Sequence, residues 1–322
     1  KADAPLRVAS YNVRCHNCTL YNEEQPWRVR RDYVAATIND ADPDVVSLQE
    51  AQQSRLLDDS STTQFEDLRT VLNSGLDGAP WALTNGNRYN CVKSTSATNC
   101  VYADQGASNG TRIVYRADRL VLNSQGSQRL PQLTDSSYER YVVWAFFKQK
   151  STGKKFLFAA IHLEPGNDPS GSDAYAQNRR VQAQAALDKL TELNTAGLPI
   201  VLAGDASASR ADRDGLTGER SNPPYEVFTA GGLVDPLGNV STAAPVNAPV
   251  EVRIHTDYNS VNKFERTARK YSGVNGAYND YIFTTPMRVS EWETVVKLDE
   301  TGCFVGVIPS DHNLIRATVW LP

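Results

Sequence analysis

The sequence predicts one α/β domain over residues 1–322, built of packed sheets with helices on the outside. Three observations lead there. Short strand-like apolar runs recur along the whole chain, helical patterns are interspersed among them, and no linker separates two halves. A length of 322 residues suits one large domain or two ordinary ones. A chain near this size buries about three quarters of its unfolded surface, so its core needs no staple.

Residues Leu6–Asn12 alternate as a half-buried strand does. Between residues 26 and 41, Trp27, Val34, Ile38 and Ala41 recur at helical spacing; Pro26 suits a first turn and Pro43 closes the pattern. Val45, Val46, Ser47 and Leu48 then read as a short buried strand, giving a β-α-β opening. A weaker helical pattern joins Phe65, Leu68, Val71 and Leu72. Strand-like runs follow at Arg112–Arg116, 142–147 and 156–162, the last two joined by a hairpin turn at Ser151-Thr152-Gly153. A long helix over about 173–194 carries Ala183, Ala186, Leu187, Leu190 and Leu193 on one face. Gly197 ends it, and 199–203 is another buried strand. The tail adds strands at Asp280–Thr284, 289–296 and 314–320. Residues 239–248, rich in small side chains and Pro, read as a surface loop, and 225–235 as a helix end with a Gly stop that serves packing. No repeat of fixed period is present.

Composition excludes several classes. With 40% hydrophobic residues the chain is not disordered, and no apolar run approaches the roughly 20 residues of a membrane span. A net charge of −4 gives no bulk attraction for polyanions, which argues against a passive nucleic-acid binder. It does not argue against an enzyme that meets phosphates through a metal ion. Five cysteines are present. Cys15 and Cys18 are close enough to bridge or to bind a metal, but no second Cys/His pair follows at zinc spacing. The polar stretch between Cys91 and Cys100 reads as a loop pinned at its base. Two disulfides with Cys303 left over is the expected count, which points to an oxidising compartment and a secreted, extracellular protein. The opening Lys-Ala-Asp-Ala-Pro has no charged-then-apolar leader, so any secretory signal is expected to be already removed.

The residues with chemical potential sit at strand ends. Asn12 ends the first strand, Glu50 and His162 end two others, Asp205 follows 199–203, and Asp311-His312 precede the last strand. Groups at the ends of neighbouring strands converge on one rim. Each alone reads as a turn or cap residue; the set has a meaning. Carboxylates with an amide suit a hard divalent cation, Mg2+ or else Mn2+ or Ca2+, and not zinc. Two histidines add a base for water and a donor on the other side of a phosphate, which is the inventory of phosphoester hydrolysis.

The chain resembles the endonuclease/exonuclease/phosphatase superfamily through SYNVR (10–14), PDVVSLQE (43–50), AAIHLE (159–164), LAGDASAS (202–209), NDYIFTT (279–285) and PSDHNLI (309–315). The resemblance implies a deoxyribonuclease-like four-layer fold, two mixed sheets packed as a sandwich with helices on both outer faces. It implies Glu50 as the principal metal ligand, with Asn12 and Asp311 near the metal or its waters. His312, oriented by Asp280, matches the histidine that activates water or stabilises the phosphate. His162 matches the histidine on the phosphate's other side, and Asp205 the first residue of the family's Asp-x-Asn motif. Here that motif reads Asp205-Ala206-Ser207, so Ser207 stands where relatives carry Asn. A hydroxyl is shorter and offers one donor where a carboxamide offers two. Asn109-Gly110-Thr111 likewise stands where many relatives carry Glu-Gly-Asn, which removes a carboxylate and leaves Asn109 as a candidate substrate contact.

Arg28, Arg30 and Arg31 read as a solvated helix face. Lys263, Arg266, Arg269 and Lys270, interleaved with Phe264, Tyr271 and Tyr278, read either as surface or as a phosphate-backbone track with stacking rings. Arg266 and Arg269 are therefore candidate substrate contacts. So is Arg140, which could instead bridge a carboxylate; Arg88 and Tyr89 could reach a groove. His16 and His255 have no motif and read as structural. The expected activity is a secreted, metal-dependent phosphodiesterase, with nucleic acid favoured as substrate and monomeric, with no obligate protein partner and no membrane span. A phospholipase C-type activity or a phosphoinositide or small-phosphoester phosphatase is the alternative, and Ser207 keeps a silent binding module open.

Overall fold

The computed structural model describes residues 3–85, 110–134, 137–210, 222–238, 250–271 and 276–322. Twelve strands and four helices occur among them: β1 (Leu6–Asn12), α1 (Trp27–Ala41), β2 (Val45–Gln49), α2 (Gln64–Asn73), β3 (Trp81–Leu83), β4 (Arg112–Arg116), β5 (Leu120–Arg129), β6 (Tyr141–Gln149), β7 (Lys155–His162), α3 (Ala174–Leu193), β8 (Ile200–Asp205), α4 (Pro223–Ala230), β9 (Val252–Ile254), β10 (Asp280–Thr284), β11 (Arg288–Thr294) and β12 (Ile315–Trp320). They make a seven-stranded sheet in the order β3-β4-β2-β1-β12-β11-β9 and a five-stranded sheet in the order β10-β8-β7-β6-β5.

The period of two along each strand sorts its side chains between two cores. In β1, Leu6 and Val8 enter the core between the sheets, while Ala9 and Tyr11 face α1 and α2. In β7, Phe156, Phe158 and Ala160 point between the sheets, and Leu157, Ala159 and Ile161 point to α3 and α4. Both faces of these strands are covered, which is why β7 reads as an unbroken apolar run; β1, whose alternation predicts a half-buried strand, is buried on both faces because α1 and α2 cover its outer side. The result is four layers: helices, sheet, sheet, helices. Inside, Ser47 Oγ ties the sheets together by donating to the Ala203 carbonyl at 2.9 Å.

Local chemistry sets the helix ends. Thr63 and Glu66 form a reciprocal capping box at α2. Asp42, left-handed at φ 50°, stops α1 just before Pro43. Asn222 caps α4, whose first turn is Pro223-Pro224 and whose end is Gly231.

The structure corrects several expectations. β3 and β9 are three residues each, too short to show a pattern, and β5 is an edge strand whose outward side chains are polar. Arg30 is fully buried rather than solvated; its guanidinium donates to the carbonyls of Gln25, Val13, Pro309 and Arg14 and so replaces water with four acceptors. Phe264, Tyr271 and Tyr278 are buried packing residues and present no ring for stacking. Cys15 and Cys18 form a disulfide and Cys303 is free. Cys91, Cys100, Arg88, Tyr89, Asn109 and the loop at 239–248 lie outside the described residues. No helix among the described residues is long and apolar enough to cross a membrane.

Candidate active site

β1 and β2 run parallel, as do β7 and β8, while β12 and β10 run antiparallel to their neighbours. The C-terminal ends of the first four strands and the N-terminal ends of the other two therefore share one rim. Parity does the rest. Asn12 continues the series Leu6, Val8; His162 continues Phe156, Phe158, Ala160; Asp205 continues Val201, Ala203; and Asp280 shares the face of Ile282. All four side chains point into the gap between the sheets. Register places His162 beside Asp205 in one strand pair and Asp280 beside Asp205 in the next.

Asp205 Oδ2 is the meeting point. It accepts from Asn12 Nδ2 at 3.2 Å and lies 3.4 Å from His162 Nε2 and 3.7 Å from His312 Nε2. His312 Nδ1 is 2.8 Å from Asp280 Oδ2. Asp280 is an acceptor, so Nδ1 carries the proton and Nε2 faces the gap.

The two histidines are driven to opposite charge states. Burial pulls His312 down, but Asp280, which also bonds it, together with Asp205 and Asp311 outweighs burial and holds it well above the usual histidine range. His162 is held well below that range by burial, by the Arg140 guanidinium and by His312. Burial and the neighbouring Asp280 push the Asp205 carboxyl up to about 7, against the pull of His312, the Ser207 N–H and Asn12.

Glu50 stands beside this group, left-handed at φ 56°, a strained conformation for a non-glycine residue. Its Oε2 accepts from Asn12 Nδ2 at 2.6 Å. Desolvation and the nearby Asp311 push its carboxyl up, against Asn12, His312 and Arg14. A buried carboxylate whose proton affinity is raised by desolvation and by a neighbouring acid marks a site short of positive charge. An all-oxygen set of this kind fits a hard divalent cation held by Glu50 with Asp311 and Asn12. Asp205, Asp280 and His312 also lie with ligand atoms within 4.8 Å of one another, and that buried group could hold an ion as well. Cys15 and Cys18, though near Glu50, are committed to their disulfide.

Ser207 is left-handed at φ 52°, and its hydroxyl donates to the Leu163 carbonyl at 2.9 Å, away from the gap; its N–H donates to Asp205 Oδ1. Arg140 reaches the site at His162. Arg266 and Arg269 are not brought to the central group. Arg266 pairs with Glu23 and with the carbonyls of Phe304 and Gly306, and Arg269 pairs with Glu265. Two contributors escaped the sequence reading. Tyr21 donates to Asp311 Oδ2 at 2.8 Å from an aperiodic loop that carries no signal. Arg14, inside the SYNVR run, bonds the Asn12 side chain through its N–H and sends its guanidinium to Glu24.

A model of the endonuclease/exonuclease/phosphatase family matches residues 9–312. No curated protein sequence matches the chain. Solved structures with the same fold include a family member from Bacteroides thetaiotaomicron, 20% identical over 100% of this chain and 99% of that one, with a TM-score of 0.68. A mannosyl-6-phosphatase from the same organism is 20% identical over 98% and 99% of the two chains, TM-score 0.63. TDP2 of D. rerio, complexed with a single-strand DNA product, is 18% identical over 98% and 99%, TM-score 0.60. With a family model matching residues 9–312, which include Asn12, Glu50, His162, Asp205, Asp280, Asp311 and His312, the chain belongs to the endonuclease/exonuclease/phosphatase family.

Proposed function

We propose that this protein is an exported, divalent-metal-dependent phosphodiesterase that cleaves nucleic-acid phosphodiester bonds. The observation that carries the hydrolytic reading is Asp205 Oδ2, shared between Asn12 and the Nε2 atoms of two histidines held in opposite charge states. Glu50, with Asn12 and Asp311, would hold a divalent cation, which would supply charge neutralisation at the phosphoryl oxygens. His162, neutral, donates a hydrogen bond from its Nε2–H to a phosphoryl oxygen and keeps its proton. His312, charged and fixed by Asp280, stabilises the phosphate from the other side, and Asp205 orients the attacking water or takes its proton.

The nucleic-acid reading has a local support. The basic segment starts directly against the site: the N–H groups of Asn262 and Lys263 both donate to the Asp311 carbonyl, and Val261 bridges to His312. Exposed Lys263 and Arg269 could then follow a phosphate backbone leaving the rim. The Cys15–Cys18 disulfide supports export.

The test is a side-by-side assay of plasmid DNA, RNA, lipid vesicles and p-nitrophenyl phosphodiesters, with and without chelator. Activity that disappears on chelation, together with loss of Mn2+ binding in Glu50→Gln, is expected. Cleavage that persists in chelator, or of lipid with no plasmid nicking, would overturn the reading. Charge reversal at Lys263 and Arg269 should weaken cleavage of long DNA more than of the chromogenic diester.

A further inference from the structure

Arg140 stands just before β6, whose antiparallel pairing with β7 sets Val142 opposite Ile161, so that Tyr141 falls opposite His162 and Arg140 one residue further on; the long Arg140 side chain covers that offset. Its Nη1 lies 3.3 Å from His162 Nδ1. The side chain is only 13% exposed, and its Nε is 3.6 Å from Glu164 Oε2. A guanidinium has five N–H donors, no acceptor, and does not deprotonate in proteins. Nδ1 can meet it only through a lone pair. The single proton of the neutral ring then belongs on Nε2, which is the atom 3.4 Å from Asp205 Oδ2. His312 is arranged the other way round, with its Nδ1 against an acceptor, Asp280.

We propose that Arg140 is a positioning residue: by donating to Nδ1 it fixes the tautomer of His162, so that the ring presents an N–H, never a lone pair, to the gap between the sheets. Arg140 acts from behind the ring, without touching substrate. The consequence for turnover rests on the phosphoester-hydrolase reading; the tautomer does not.

The chain has four histidines, so 15N-histidine labelling gives a readable spectrum, and His162→Asn assigns the signals by their loss. In metal-free protein, His162 should show a pyridine-like Nδ1 and a pyrrole-like Nε2. Arg140→Met should introduce the Nδ1-protonated tautomer and lower kcat by about 10–100-fold, the usual cost of losing an orienting partner, with KM little changed. Arg140→Lys, which keeps an N–H donor, should retain the wild-type tautomer and most of kcat. A proton on Nδ1 in the wild type, an unaltered tautomer in Arg140→Met, or a loss confined to KM would overturn the proposal, the last marking Arg140 as a phosphate ligand. Absence of any phosphoesterase activity would defeat the functional reading alone, because the tautomer is read without substrate.

Discussion

Asp205 and Asp280 face each other as register partners in adjacent antiparallel strands, so two buried carboxyls sit side by side. Asp280 is bonded to His312, and the cost of a second buried negative charge falls on Asp205, whose carboxyl is pushed up to about 7 by burial and by Asp280. Like charges this close resist joint ionisation.

Stability should respond to that cost. The Asp205 carboxyl ionises at its ordinary 3.8 in the unfolded chain and about 7 in the folded one. Below the lower value both states are protonated and there is no penalty; as pH rises through the folded value the penalty becomes complete. In chelator, Asp205→Asn should therefore melt above wild type at pH 8, with the gain shrinking towards pH 4. Thermal melts across that range check it; a gain larger at pH 4 would be the wrong sign.

His312→Ala should reduce turnover by about 10²–10⁴-fold, the range for a removed acid–base group, with an unchanged circular dichroism spectrum. Asp280→Asn should reproduce part of the loss, since the amide cannot hold the ring's charge. Activity within a few-fold of wild type in His312→Ala would dismiss its assigned role.

Ser207→Asn should raise kcat. The present hydroxyl is spent on the Leu163 carbonyl, whereas a carboxamide has a second donor and tolerates the left-handed backbone better than Ser. One preorganised donor to a transition-state oxygen is worth about 10²–10³ in rate. Steady-state kinetics on a chromogenic diester measure it. No gain would mean that this branch of the family holds its phosphate by other groups.

Arg30→Met should cost about 3 kcal/mol or more in chemical denaturation, because four carbonyls lose their shared buried donor. Arg28→Met, which removes only an exposed pair with Asp58, should change stability by no more than about 0.5 kcal/mol. Equal effects would contradict the burial of Arg30.

Much of this was legible in the sequence. The alternation of β1 and the apolar runs of β2, β7, β8, β10 and β12 announce strands, and Asn12, Glu50, His162, Asp205, Asp280, Asp311 and His312 stand where those segments stop or start. β5 was not legible, since an edge strand keeps polar side chains on its open face and loses the alternation that signals a strand. Arg30 was misread because a charge run gives no sign of which member points inward; α1 turns Arg30 towards four carbonyls while Arg28 stays in solvent.

Local sequence determined where each strand ends and, through the period of two, that Asn12, His162, Asp205 and Asp280 share the face of their strands' apolar neighbours. That much is a matter of backbone geometry, and it holds for each strand separately. Only the tertiary structure decided that these faces oppose one another. Asn12 and Asp205 are 193 residues apart and belong to different sheets, yet their side chains bond at 3.2 Å because the two sheets pack face to face at that rim. Packing likewise chose Arg140 as the partner of His162 and Tyr21 as the partner of Asp311, since contacts across strands and loops depend on register and burial that no local pattern encodes.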